Sequence, residues 1–140
     1  SAQFARPGVP DRLRSARDDE ARCVLLSAVD PASPWGALLP WPEVEGRARP
    51  RRVAGARVLS RGGEPVLFID KGGKSVVVLP AAGEEGALEG AVAELCRRRR
   101  RRALRVAKVN GVEASTSPHA ERLVAAGFEP DQRGLYLSSV

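Results

Sequence analysis

From Arg52 to Pro80 the chain alternates apolar runs with glycine pairs: RVAGARVLS, PVLFID and SVVVLP are separated by RGGE and KGGK. Paired glycines at a tight turn supply the positive φ angles that short hairpins require, so this segment predicts an antiparallel meander. Two of its runs are apolar at consecutive positions: Val66, Leu67, Phe68 and Ile69, then Val76, Val77, Val78 and Leu79. Such strands need cover on both faces. The expected solution is a small antiparallel β-barrel of about five to six strands, with one face inward and the other under a helix.

The flanking pattern supplies the remaining elements. CVLLSAV, Cys23 to Val29, reads as a first strand. DPASPWGALLPWPEVEG follows, too rich in proline for a central strand or a helix and too apolar for a solvated loop. It predicts a long ordered loop that packs Trp35, Leu38, Leu39 and Trp41 onto the core, with both tryptophans largely buried. After the meander, Glu84 to Ala103 predicts a helix with Leu88, Ala91, Val92 and Leu95 on one face. Its acidic start and arginine finish suit the helix dipole. LRVAKV returns as a strand. STSPHAERLVAAGF then predicts a short helix with Ser117 as N-cap, Pro118 in the first turn, Gly127 as C-cap and Phe128 folding back. GLYLS closes the chain as a strand. The fold class is α+β, a barrel covered by one long and one short helix. Residues 1–22 form a lead-in linker with a short helix around Pro10 to Ala16, and residues 23–140 form one barrel domain. A chain of 140 residues that begins at Ser1 is expected of a module cut from a larger protein.

Charge changes the picture in one place. The 23 Lys and Arg against 17 Asp and Glu leave a formal net charge of +6, a modest bias toward polyanionic partners. Six arginines stand in a row, Arg97, Arg98, Arg99, Arg100, Arg101 and Arg102. On a helix six consecutive residues sweep about 600°, so the run forms no one-sided recognition stripe. Some of its members lay their stems on apolar surface or pair with acids. The rest attract phosphate without reading bases, through counterion release. Arg51, Arg52, Lys71 and Lys74 extend such a patch if the loops converge. The expected partner is DNA, single-stranded or duplex, bound non-specifically.

Other chemistry is sparse. Cys23 and Cys96 lie among apolar neighbours, and His119 is the one histidine, so no zinc site is expected. No Walker A sequence is present, so no cofactor is expected on this chain. No apolar run is long enough for a membrane span. His119, beside Ser117 and Pro118, reads as a polar residue at a helix start. Asp30, ending a strand at the mouth of the Trp-rich loop, is the one catalytic candidate; an Asx turn at DPAS is the reading its position favours.

Three stretches carry a resemblance. VLLSAVDPASPWGALLPWP (Val24 to Pro42), the meander RRVAGARVLSRGGEPVLFIDKGGKSVVVL, and VNGVEASTSPHAERLVAAGFEPDQRGLYL resemble the C-terminal β-barrel module of Lhr, the large helicase-related proteins of bacteria. PGVPDRLR fits the stretch leading in, whereas the arginine run is no motif of that family. The resemblance implies a non-catalytic C-terminal module of an ATP-dependent 3′-to-5′ DNA helicase of superfamily two that acts in DNA repair. It implies a parent using ATP and Mg2+, winged-helix domains of that parent as partners, and a cytoplasmic, nucleoid-associated location; a homo-oligomer stays open. That C-terminal region in turn resembles AlkZ-type DNA glycosylases. Their glutamine motif has no counterpart here, since Gln3 and Gln132 stand alone. The alternative is a contribution to a base-excision site, with Asp30 stabilising an oxocarbenium-like state.

Overall fold

The computed structural model describes residues 22–98 and 103–138. The expected lead-in helix around Pro10 to Ala16, and Arg99 to Arg102, lie outside the described residues. Strands β1 (Cys23–Ser27), β2 (Arg57–Arg61), β3 (Glu64–Ile69) and β4 (Ser75–Val78) form the expected antiparallel meander. Both glycine pairs sit at positive φ in its turns: Gly62 and Gly63 at 59° and 81°, Gly72 and Gly73 at 85° and 77°. Helix α1 (Ala87–Arg98) follows, then β5 (Leu104–Val106), β6 (Lys108–Val109), β7 (Val112–Glu113), α2 (Ala120–Ala126), β8 (Glu129–Asp131) and β9 (Gly134–Leu137).

The strands make two sheets, of order β1-β2-β3-β4-β6-β7 and β5-β9-β8. Pairing is antiparallel throughout except for β4 with β6, which run parallel in the register Ser75 to Lys108 and Val76 to Val109. The α+β class and the mostly antiparallel pairing match the sequence. A closed antiparallel barrel does not appear: among the described residues the edges β1 and β7 are not paired with each other. The apolar runs did demand cover on both faces, but a different layer supplies it. Leu59, Leu67, Ile69, Val76 and Val78 face a core shared with Leu88, Ala91, Val92 and Leu95 of α1 and with Leu104, Val106, Leu135 and Leu137 of the small sheet. Val58, Phe68 and Val77 face the other way, under Trp41, Val44, Ala48 and Val53 of the proline-rich connection.

That connection corrects one expectation. Trp35 is buried and stacks on Trp41 with ring centroids 6.4 Å apart, and Trp41 meets Phe68 edge-on at 5.6 Å. Trp41 is only half-buried, and Leu38 and Leu39 point outward, Leu38 with 87% of its surface exposed. The cause is local: the amides of Ala37, Leu38 and Leu39 all donate to the Pro34 carbonyl, a tight turn that rotates both leucines off the core.

Helix bounds shift for equally local reasons. Gly86 adopts φ 76°, which no helical residue can, so α1 begins at Ala87 rather than Glu84. Its described part ends at Arg98. The second helix begins at Ala120 with His119 at the N-cap, because residues Ala114–Thr116 wind into a 3-10 turn first. Ser117 does not cap it; its hydroxyl accepts the His119 amide at 3.1 Å. The other end follows expectation. Gly127, at φ 137°, donates to the Leu123 and Val124 carbonyls, and Phe128 donates to Leu123 at 3.0 Å and buries its ring.

Candidate nucleic-acid interface

The described residues carry two basic clusters. One is built on the β3–β4 turn. There Gly73 donates to the Asp70 carbonyl and Asp70 to the Ser75 carbonyl, leaving Lys71 and Lys74 at the exposed tip. The Lys74 carbonyl accepts the amides of Ala107 and Lys108 at 2.8 and 3.1 Å, which docks the turn on β6 and brings Lys108 alongside. Glycine suits position 73 because its φ is 77°, and a Cβ there would press on Leu104, 2.5 Å from its Cδ1. The turn therefore rests against the second residue after the arginine run. Arg51 joins through Asp70 at 3.6 Å, with 65% of its side chain exposed. Four cations thus gather at one end of the sheet, opposed by Asp70 and by Glu113 across from Lys108.

The other cluster lies where the run begins. Glu94, on the inward side of α1 and 5% exposed, takes both Arg97 and Arg98. Arg98 Nε meets its Oε2 at 2.9 Å, and Arg97 meets its Oε1. A carboxylate at that depth needs such partners, because an unpaired buried charge is strongly destabilising. Both arginine side chains stay about two-thirds exposed, at 71% and 67%, and a guanidinium has more donors than one carboxylate takes up. Arg22, at the entry to β1, lines the same crevice.

Other candidates part company with these. Arg52 follows Arg51 in sequence but turns inward, donating to the carbonyls of Ser33 at 2.5 Å and of Val29, Asp30 and Trp35 at 3.4 Å. It clamps the Trp-rich loop. Arg105 pairs with Asp131 and lies over the Tyr136 ring at 5.0 Å. Asp30 forms the Asx turn, its Oδ1 accepting the Ala32 amide at 2.8 Å while its carbonyl takes the Ser33 amide. Among the described residues no three His, Cys, Asp or Glu side chains converge to hold a metal ion. No described helix is long and apolar enough to cross a membrane. Cys23 is buried and Cys96 half-buried; both are free thiols, pushed up in pKa by burial.

His119 lines a small cleft with Arg122, Asn110, Glu43 and Glu45. Burial, reinforced by the Arg122 charge, holds its imidazole below the ordinary value of 6.5. The folded chain then binds fewer protons at this site than the unfolded one as the pH falls. Its contribution is complete above the unfolded value and is lost as the pH falls from there through the lower folded value. His119→Gln is expected to flatten the fall in melting temperature between about pH 7 and about pH 5. An unchanged profile would assign that fall to the carboxylates.

No family model matches this chain. Two curated proteins do. It is 37% identical, over 97% of its length, to the Lhr helicase/probable uracil glycosylase of Mycolicibacterium smegmatis, and 36% identical, over 96%, to the Lhr helicase/uracil glycosylase of Escherichia coli K12. The chain spans about a tenth of those proteins, 10% and 9% respectively. By sequence, then, it belongs with the Lhr proteins, as the counterpart of one segment of them.

Proposed function

We propose that this chain is a non-catalytic C-terminal module of an Lhr-like, ATP-dependent 3′-to-5′ DNA helicase acting in DNA repair. Residues 23–140 act as one barrel-like unit, its two sheets wrapped around a shared core, with residues 1–22 leading in. The module helps assemble the C-terminal region against the parent's winged-helix domains and holds DNA by its backbone. ATP and Mg2+ belong to the parent's motor, and the cytoplasm is the setting. The observation that carries the DNA reading is the gathering of Lys71, Lys74, Lys108 and Arg51 at the β3–β4 turn, and of Arg22, Arg97 and Arg98 along one crevice. Side chains of this kind, spread around a helix end and a turn, suit phosphates rather than base edges.

The test is the salt dependence of binding. Each phosphate neutralised adds about −0.9 to the slope of log affinity against log salt for duplex DNA and about −0.7 for single strands. Replacing Arg97 to Arg102 by Gln should flatten the slope by about two to three, with no change in base preference. A folded variant that keeps both affinity and slope would leave the run as a solvated helix end.

The names of the relatives favour a second reading, in which the segment contributes to uracil excision. Asp30 would then carry an electrostatic role. Asp30→Asn in a longer chain that includes the neighbouring segments should abolish excision on this reading and leave it intact on the first.

A further inference from the structure

Strand β1 is an outer edge of the large sheet, and its two faces differ. Cys23 and Leu25 turn toward the core under α1. Val24 and Leu26 turn toward the loop side, where Val24 keeps 44% of its surface exposed. These two floor an open cleft of about 540 Å³, walled by Trp35 and Ser33 on one side and by Ser60 and Gly63 on the other. Its volume lies in the range of clefts that hold small organic groups. The Trp35 wall is rigid, since its indole is stacked on Trp41 and Arg52 ties down the Ser33 and Trp35 carbonyls. The Gly63 wall is open, with nothing within 4 Å of where a Cβ would stand.

Two features mark the cleft as a seat for something polar and flat rather than a bare groove. Ser33 is 2% exposed, and its hydroxyl has no hydrogen-bond partner among the described residues. Buried polar groups are nearly always paired, and this one stands unpaired directly beneath the lining of the cleft. The second feature is Arg22, which lines both this cleft and the crevice of about 530 Å³ shared with Arg97 and Arg98. A cationic track therefore leads directly to an apolar cleft with an aromatic wall and Ser60 among its lining residues. That combination, charges along a backbone path and an aromatic wall beside it, is how proteins hold unpaired nucleic acid.

We propose that this cleft seats one unstacked base of a single-stranded polynucleotide whose phosphates run along Arg22, Arg97 and Arg98. Duplex DNA keeps its bases stacked and reaches only the cations. The inference rests on the nucleic-acid reading above and adds to it a strand preference and a place. A segment of the parent protein is the competing occupant, and the test separates the two.

The chain itself is titrated with a short oligothymidylate and with a duplex of equal length, at low salt, following anisotropy and tryptophan emission. The oligothymidylate should quench emission through Trp35, and the duplex should not. Val24→Gln puts a polar side chain in the cleft without altering charge, at an exposed edge position that spares the core. It should weaken the single strand about tenfold and leave duplex affinity and the single-strand salt slope unchanged. Val24→Leu should bind like the parent. If both DNAs bind but Val24→Gln affects neither, or both equally, the base seat is wrong and backbone binding survives. If neither DNA binds at low salt, both readings fall. If oligothymidylate leaves emission unchanged while the neighbouring segments of the parent protein quench it, the cleft is a protein seat and the proposal is overturned.

Discussion

Phe68→Ala is expected to lower the unfolding free energy by about 3–5 kcal/mol, read as a lower urea midpoint at unchanged slope. Phe68 is 1% exposed and sits in β3 directly between Val58 of β2 and Val77 of β4 in register. It belongs to the smaller of the two cores, and Trp41 meets its ring edge-on. Truncation therefore leaves a hole that Val58 and Val77, fixed by the strands on both sides, cannot close. It also removes the surface on which Trp41 rests, so tryptophan emission should shift toward that of water-exposed indole. Leu38→Ala is the matched control: with 87% of Leu38 exposed, it should change stability by no more than about 0.5 kcal/mol. A Phe68→Ala variant as stable as that control would mean that the loop is no part of the core.

Asn110→Ala should cost on the order of 3 kcal/mol. Strand β6 ends at Val109, paired with Val76 and two residues short of the end of β4. The Asn110 side chain takes over where the ladder stops, its Oδ1 accepting the Val78 amide at 2.7 Å and its Nδ2 donating to the Val78 carbonyl at 3.1 Å. Alanine leaves both buried backbone groups unpaired. It also places a Cβ at φ 53°, in the left-handed region that asparagine tolerates better. Asn110→Gly relieves the second cost but not the first. Chemical denaturation of the two variants side by side should show Gly the milder by about 1 kcal/mol. Equal losses would put the whole effect in the hydrogen bonds.

The meander was legible because its signals are local: paired glycines at fixed spacing, and apolar runs too continuous for one-sided burial. The burial of α1 was legible for the same reason, at Leu88, Ala91, Val92 and Leu95. What covers the second face was not. A barrel wall and a tryptophan-bearing loop bury the same residues, and only tertiary packing chooses between them. The stretch LRVAKV reads as one strand, yet it divides at Ala107, with Val106 pairing to Leu135 and Lys108 to Ser75 in different sheets. Asn110 and Gly111, both at positive φ, carry the one clear sign of the small hairpin that follows.

The site divides in the same way. Glu94 with Arg97 and Arg98 has i,i+3 and i,i+4 spacing, visible in any helical reading of the segment. Arg51 and Arg52 are chemically alike and adjacent, yet one is exposed at the β3–β4 turn and the other clamps four carbonyls. No sequence rule separates them, because their directions are set by a loop that lies some twenty residues earlier. The Arg22 link between crevice and cleft is likewise a product of folding, since it joins the start of β1 to the end of α1.

Strand β9 lies in the middle of the small sheet, between β5 and β8, and it is the last of the nine described strands along the chain. Leu135 and Leu137 also enter the larger core. During synthesis β5 thus waits for a partner made some thirty residues later, and the core stays unsealed until Leu137 has left the ribosome. A nascent chain halted before Gly134 should be cut by protease within the small sheet, and release of a few more residues should protect segments far upstream. Folding of this module thereby waits on the strand that is made last among those described.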